Sequence, residues 1–148
     1  MSWQGYVDNL MADGSCQDSA IVGYTDAKYV WAAQSGGTFN NITPQEIDTI
    51  IGKDREGFFT SGLTLGQKKC SVIRDSLQIE GDWTMDIRTK SQGGEPTYNV
   101  SVGRAAKVLV LVMGKEAMVL VMGKEGVHGG QLNKKAFGMA EYLRKAGF

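Results

Sequence analysis

Trp83-Thr84-Met85-Asp86-Ile87-Arg88-Thr89-Lys90 is the stretch that decides the fold class. Its apolar Trp83, Met85 and Ile87 alternate with Thr84, Asp86, Arg88 and Lys90, the period of two expected of a β-strand with one buried face. Arg88 and Lys90 should then stand side by side on the outer face. Further β-rich runs flank it at residues 57–60 (GFFT), 68–77 (KKCSVIRDSL), 97–103 (TYNVSVG) and 106–114 (AKVLVLVMG). Ser61-Gly62, Glu80-Gly81-Asp82, Gln92-Gly93-Gly94-Glu95-Pro96 and Gly103-Arg104 punctuate them, so successive strands joined by turns predict an antiparallel meander. Upstream, residues 20–24 (AIVGY) and 29–33 (YVWAA), joined by a turn-like TDAK, read as a hairpin.

Helices frame the strands. Ser2 is placed to cap a helix in which Trp3, Tyr6, Val7, Leu10 and Met11 recur at i, i+3, i+4, i+7, i+8, with Asp13-Gly14 as its stop. Thr43-Pro44-Gln45-Glu46 is a capping box with Pro at the first helical position, and Ile47, Ile50 and Ile51 continue it to Gly52. From Gln131 a helix should bury Leu132, Ala136, Met139, Ala140 and Leu143 and turn Lys134, Lys135, Arg144 and Lys145 to water. An α+β fold follows, with a central antiparallel sheet and the N- and C-terminal helices packed on one face. At 148 residues and 42% hydrophobic, the chain fits a single domain over 1–148.

Composition excludes more than it assigns. Sixteen Lys+Arg against sixteen Asp+Glu argue against a nucleic-acid-coating protein. The N-terminus has no basic region followed by an apolar run, and no apolar run is long enough to span a bilayer, so a cytoplasmic location is expected. Cys16 and Cys70 would pair in a secreted protein; in a reducing compartment they are buried free thiols, the reading favoured here. With one histidine, His128, and no CxxC pair, no catalytic residue, metal or cofactor is expected, and the chain is not read as an enzyme. Residues 62–69 (GLTLGQKK) lack phosphate-loop spacing and read as a turn.

One heptad occurs twice: Val110-Leu111-Val112-Met113-Gly114-Lys115-Glu116 returns as Val119-Leu120-Val121-Met122-Gly123-Lys124-Glu125, nine positions on. An odd shift inverts the faces of a strand, so both copies cannot serve one strand equivalently. The reading favours the first copy in the sheet and expects an added strand or a collapsed loop within 113–126.

Two groups of side chains remain. Trp3, Tyr6, Trp31, Tyr142 and Phe148 form an aromatic set drawn from both termini, open to reading as core or as walls for a polyproline II ligand. Lys68, Lys69, Arg74, Arg88, Lys90 and Lys134 come from neighbouring strands and the last helix, either a solvated face or one basic patch. By position alone, His128 is a loop residue.

Taken together, residues 3–11 (WQGYVDNLM), 19–24 (SAIVGY), 30–33 (VWAA), 41–46 (NITPQE), 52–58 (GKDREGF), 62–77 (GLTLGQKKCSVIRDSL), 85–94 (MDIRTKSQGG) and 122–135 (MGKEGVHGGQLNKK) resemble profilin, of vertebrate type and nearer the brain-enriched isoform. The resemblance runs over nearly the whole chain outside the repeat. It implies the sheet-and-helix fold above and a groove for proline-rich ligands from Trp3, Tyr6, Tyr29, Trp31, Tyr142, Leu143 and Phe148. It implies an actin-binding surface from Lys69, Ile73, Arg74, Arg88, Lys90, His128, Gly130, Asn133, Lys134 and Phe137. Phosphoinositide headgroups at the membrane surface would meet Lys69, Arg88, Lys90, Lys134, Arg144 and Lys145. The implied function is to bind monomeric actin, speed its nucleotide exchange and deliver it to filament ends with formin-type and related proline-rich assembly factors, in a cytoskeleton-associated cytoplasmic protein. The repeat departs from the family pattern just before Val127-His128-Gly129-Gly130. Proline binding is therefore expected to survive it and actin binding to be weakened, which leaves a proline-rich and phosphoinositide-binding adaptor as the alternative.

Overall fold

The computed structural model describes residues 2–116 and 126–148, with only the backbone described at 126–130. Helix α1 (Trp3–Met11) begins where the Ser2 hydroxyl accepts the Gly5 N–H at 3.1 Å. The hairpin β1 (Cys16–Gly23) and β2 (Val30–Ala33) follows, then a 3-10 turn (Thr38–Asn41) and α2 (Pro44–Ile50). The capping box of α2 is formed in both directions between Thr43 and Glu46. Glu46 does more than cap: its carboxylate also accepts the N–H groups of Gly66 (2.9 Å) and Gln67 (3.0 Å). Those two residues, both at positive φ, are the turn between β3 (Leu63–Leu65) and β4 (Lys68–Ser76). The expected turn over 62–69 is thus a complete small hairpin.

Beyond it run β5 (Thr84–Thr89), β6 (Asn99–Arg104), β7 (Val108–Gly114) and α4 (Gly126–Lys145). The seven strands form one antiparallel sheet in the order β2-β1-β7-β6-β5-β4-β3. Residues 110–114 of the first heptad copy lie in β7, between β1 and β6, as the sequence reading favoured. The second copy, and with it the expected added strand or loop, lies outside the described residues.

Alternation along the strands separates two cores. Ala20, Val22, Met85, Ile87, Leu109 and Leu111 face Phe39, Ile47, Ile50 and Phe58 on one side. Ile21, Val108, Val110 and Val112 face Val7, Leu10, Leu132, Ala136, Ala140 and Leu143 on the other, so α1 and α4 share one face of the sheet. Cys16 lies in the second core and Cys70 in the first, both as free thiols. Burial pushes Cys16 up and Cys70 up to about 12, which keeps the thiolate population negligible.

Five local expectations are corrected. Residues 57–60 are not a strand: α3 (Gly57–Ser61) forms there, with Asp54 accepting the Gly57 N–H at 3.1 Å and Phe58 plugged into the core. Trp83 precedes β5 at φ 55 and leaves its alternation. Thr84 does not face water; it is fully buried, accepting from Arg74 Nη2 at 2.6 Å and donating to Asp82. α4 begins at Gly126 rather than Gln131, and its Lys135 is not turned outward: Nζ donates to Leu10 O (2.8 Å), Asp13 Oδ1 (2.7 Å) and Ser15 Oγ (2.9 Å), tying α4 to the end of α1.

Candidate functional site

Two regions collect the singled-out residues. The first lies where both terminal helices meet the β1–β2 end of the sheet. Trp3 is its hub, with ring centroids 5.6 Å from Tyr6, 5.0 Å from Trp31 and 4.8 Å from Phe148, the last two edge-on. Tyr6 stands 6.1 Å from Tyr142. Edge and tilted pairs of this kind contribute about 0.5–1.5 kcal/mol each beyond area burial. The rings therefore hold one another in place before any ligand arrives. Trp3, Tyr6, Trp31 and Phe148 are half-buried, while Tyr142 is 58% exposed. Leu143 is fully buried beneath them in the helix-side core. Tyr29 is 57% exposed and, among the described residues, stacks on none of these rings.

Local chemistry aims the walls. The Trp31 indole N–H donates to Ala27 O at 3.1 Å. A side chain at Gly23 would bring its Cβ within 2.5 Å of that indole nitrogen, so the ring's close approach to β1 depends on glycine there. Beside the rings, a cleft of about 430 Å³ opens between α1 and α4, walled by Tyr6, Leu10, Met139 and Tyr142. Half-exposed rings set tilted and edge-on to one another offer apolar walls that suit a polyproline II segment, whose preformed backbone lowers the entropic cost of docking.

The second region is the β4–β5 end of the same sheet face, beside α4. Plain alternation would put Lys69 and Arg74 on opposite faces. The register shifts between Val72 and Arg74, which returns Arg74 to the face of Lys69 and Ser71 and leaves Ile73 at the bulge, 51% exposed. Ser71 pairs with Arg88 and Arg74 with Asp86 across the strands. Lys90 N donates to Lys69 O, so Lys69, Arg88 and Lys90 sit close together. Among the described residues, no carboxylate lies within ion-pair distance of Lys69, Arg88, Lys90 or Lys134.

Arg74 differs from those four. Its Nε donates to Asp86 Oδ2 (2.9 Å), Nη1 to Asp82 (3.1 Å) and Ser76 (2.8 Å), and Nη2 to Thr84. Burial alone would lower its pKa, but these carboxylates hold it above the ordinary value. Asp86 Oδ1 also accepts from Asn133 Nδ2 (2.8 Å) and Ser101 (3.0 Å). Arg74 and Asn133 are thus committed to the protein's own network, which docks α4 on the sheet. The sequence did not reveal this, since nothing in the letters says that Asp86 faces both. Phe137 is half-buried and Lys134 exposed on α4. His128 and Gly130 lie within its first turns by backbone, and the His128 side chain falls outside the described set. At the far end of α4, Arg144 is half-buried and Lys145 pairs with Glu141 at 2.9 Å. The basic residues thus split between two ends of the molecule's helical face. Among the described residues, no cluster of His, Cys, Asp and Glu is arranged to hold a metal, and no helix is long and apolar enough to cross a membrane.

Comparison with known proteins agrees with this fold. The sequence model of the profilin family matches residues 1–148. Profilin-2 of Bos taurus and of Homo sapiens are each 73% identical over 99% of this chain and 98% of their own length; Profilin-1 of Bos taurus is 59% identical over 97% and 96%. The structure of mouse profilin IIa in complex with a double repeat from the FH1 domain of mDia1 superposes with a TM-score of 0.91 at 72% identity, covering all of both chains. Rat profilin 2a superposes at 0.90 with 73% identity, over 99% of this chain and 96% of that one. The chain belongs to the profilin family, a family of actin-binding regulators and not of enzymes.

Proposed function

We propose that the chain, acting as one domain in the cytoplasm, binds proline-rich segments in the ring groove and monomeric actin on the β4–β5–α4 face, and so regulates actin's nucleotide exchange and filament assembly. The observation that carries the proline reading is the contiguous set of Trp3, Tyr6, Trp31, Tyr142 and Phe148 rings, half-open on one face and mutually supported. The mouse relative described in complex with an FH1 repeat supports a formin-type partner. Exposed Ile73 beside Lys69, Arg88, Lys90 and Lys134, which have no carboxylate partner among the described residues, suits a protein surface with acidic and apolar patches. The same cations suit phosphoinositide headgroups, with Lys145 at the other end of α4 as a second contact. Two separated faces let one molecule hold actin and a proline-rich tether at once.

Titrating a proline-rich FH1-type peptide into the chain and into its Trp3→Ala variant tests the groove: saturable binding to the first and none to the second is expected. Unchanged binding in Trp3→Ala would make the rings core only. The second reading is an adaptor with impaired actin binding, favoured because the first heptad copy occupies β7 and leaves the second as extra chain before His128. Excising residues 117–125 joins Glu116 to Gly126 and should raise affinity for monomeric actin. Equal affinity before and after excision would remove that reading.

A further inference from the structure

We infer that Arg144 and Trp83 are positioning residues for the ring groove: they fix the end of α4 on the β6–β7 turn and thereby hold the Phe148 wall. The inference rests on the proline-binding reading above. The chain end is first shaped locally. Gly147, at φ 97, lets the Phe148 N–H reach Leu143 O (2.8 Å) while its own N–H bonds Arg144 O (3.1 Å), the double bond of a Schellman cap. That cap swings Phe148 back over Leu143, but it ties the last residue only to its own helix.

Two further bonds tie it to the sheet. Lys107 N–H, in the β6–β7 turn, donates to Phe148 O, and the Arg144 guanidinium donates to Arg104 O. The guanidiniums of Arg104 and Arg144 lie 5.3 Å and 5.5 Å from the centroid of the Trp83 ring. Among the described residues, neither has a carboxylate partner; the π face of Trp83 attracts both cations, and Arg104 also lies 5.4 Å from the Tyr24 ring centroid. Trp83 is itself pinned: its carbonyl accepts Arg104 N–H at 2.8 Å and its backbone sits at φ 55, where a bulky residue is held only by its surroundings. Arg104 Nε reaches the Tyr24 hydroxyl at 3.1 Å, and that hydroxyl donates to Ala105 O, stiffening the same turn. A continuous set of contacts therefore runs from Trp83 through Arg144 and the turn to Phe148, whose ring lies 4.8 Å from Trp3. None of Trp83, Arg104 or Arg144 belongs to the ring cluster itself. Arg144, which the sequence offered as a lipid contact, is in this assignment spent on the protein's own turn.

The test is a double-mutant cycle on the full chain with a decaproline peptide. Trp83→Ala and Arg144→Lys should each weaken binding roughly three- to tenfold, the scale of one lost hydrogen bond or stacking contact, and by less than about twofold in a Phe148→Ala background, because the effect passes through that ring. The Lys substitution keeps the charge and loses the fork, so a loss in Arg144→Lys separates positioning from simple electrostatics. In the absence of peptide, amide exchange at Lys107 and Phe148 should accelerate in both variants while exchange in β1 and β5 stays at the parent rate. Unchanged exchange at Lys107 and Phe148 overturns the inference, as does a full-sized affinity loss that persists without Phe148. If the parent itself fails to bind decaproline, the functional reading falls, while the exchange data still decide the latch.

Discussion

In the ring groove every wall but Tyr29 touches another member of the set, whereas on the basic face Lys69, Arg88, Lys90 and Lys134 lack a carboxylate partner among the described residues and Arg74 is held by Asp82 and Asp86. The groove is preorganised by packing, so its affinity should depend little on salt and steeply on single rings. The face is organised by charge and by the network around Asp86, so a partner must either match the four cations that lack a carboxylate partner among the described residues or displace bonds the protein already makes. Binding there should be salt-dependent and spread over many residues.

The largest way to break this contrast is at its hub. Trp3→Ala should cost at least about 2 kcal/mol of proline-peptide affinity, as a central aromatic anchor does, with affinity for monomeric actin unchanged; a drop in both would mean that the two regions are one. Next is Asp86→Ala, which removes the acceptor that Arg74 and Asn133 share and leaves Arg74 with Asp82, Ser76 and Thr84. It should lower stability by about 1–3 kcal/mol in urea unfolding and weaken actin binding while proline affinity stays within twofold. Smaller again, Arg88→Ala should cost actin binding about 0.5–1 kcal/mol and flatten its salt dependence, the range for a rim charge; a salt-independent loss would contradict the charge account. The smallest concerns Asp13. The Lys135 ammonium above all, then the Ser15 N–H and hydroxyl, hold its carboxyl well below the ordinary 3.8. A depressed folded pKa means stability that is present above 3.8 and is lost as pH falls through the lowered value. The deficit in melting temperature of Asp13→Asn should therefore be flat across neutral pH and vanish in strong acid. A deficit that persists there would assign the loss to something other than the charge.

How far these features can be read from the letters depends on whether they are local. The Ser2 cap, the Thr43–Glu46 box and the apolar stripe of α4 are all short-range signals, and each stands in the structure where its spacing puts it. The stretch at 57–60 misled because Phe58 and Phe59 carry β preference, while the deciding interactions, the Asp54 cap and burial of Phe58, involve residues outside it. The bulge at Ile73 has no compositional mark, yet it determines whether Arg74 shares a face with Lys69. Lys135 illustrates the same limit: its helical position points toward water, but the end of α1 lies within reach of its amine. Among the site residues, the rings were legible as a set because helix spacing and chain ends bring them together. Their mutual contacts, and the separate commitment of Arg74 and Asn133 to Asp86, arise from tertiary packing, across 47 positions in the case of Asn133 and Asp86.

The independence of the two regions is tested most directly by amide chemical shifts of the labelled chain during titration with a proline-rich FH1-type peptide. The structure leads to saturable shifts at Trp3, Tyr6, Trp31, Tyr142 and Phe148, including the Trp3 and Trp31 indole N–H signals, with Lys69, Arg88, Lys90 and Lys134 unmoved. Shifts of comparable size at those four residues, or none at the rings, would contradict it.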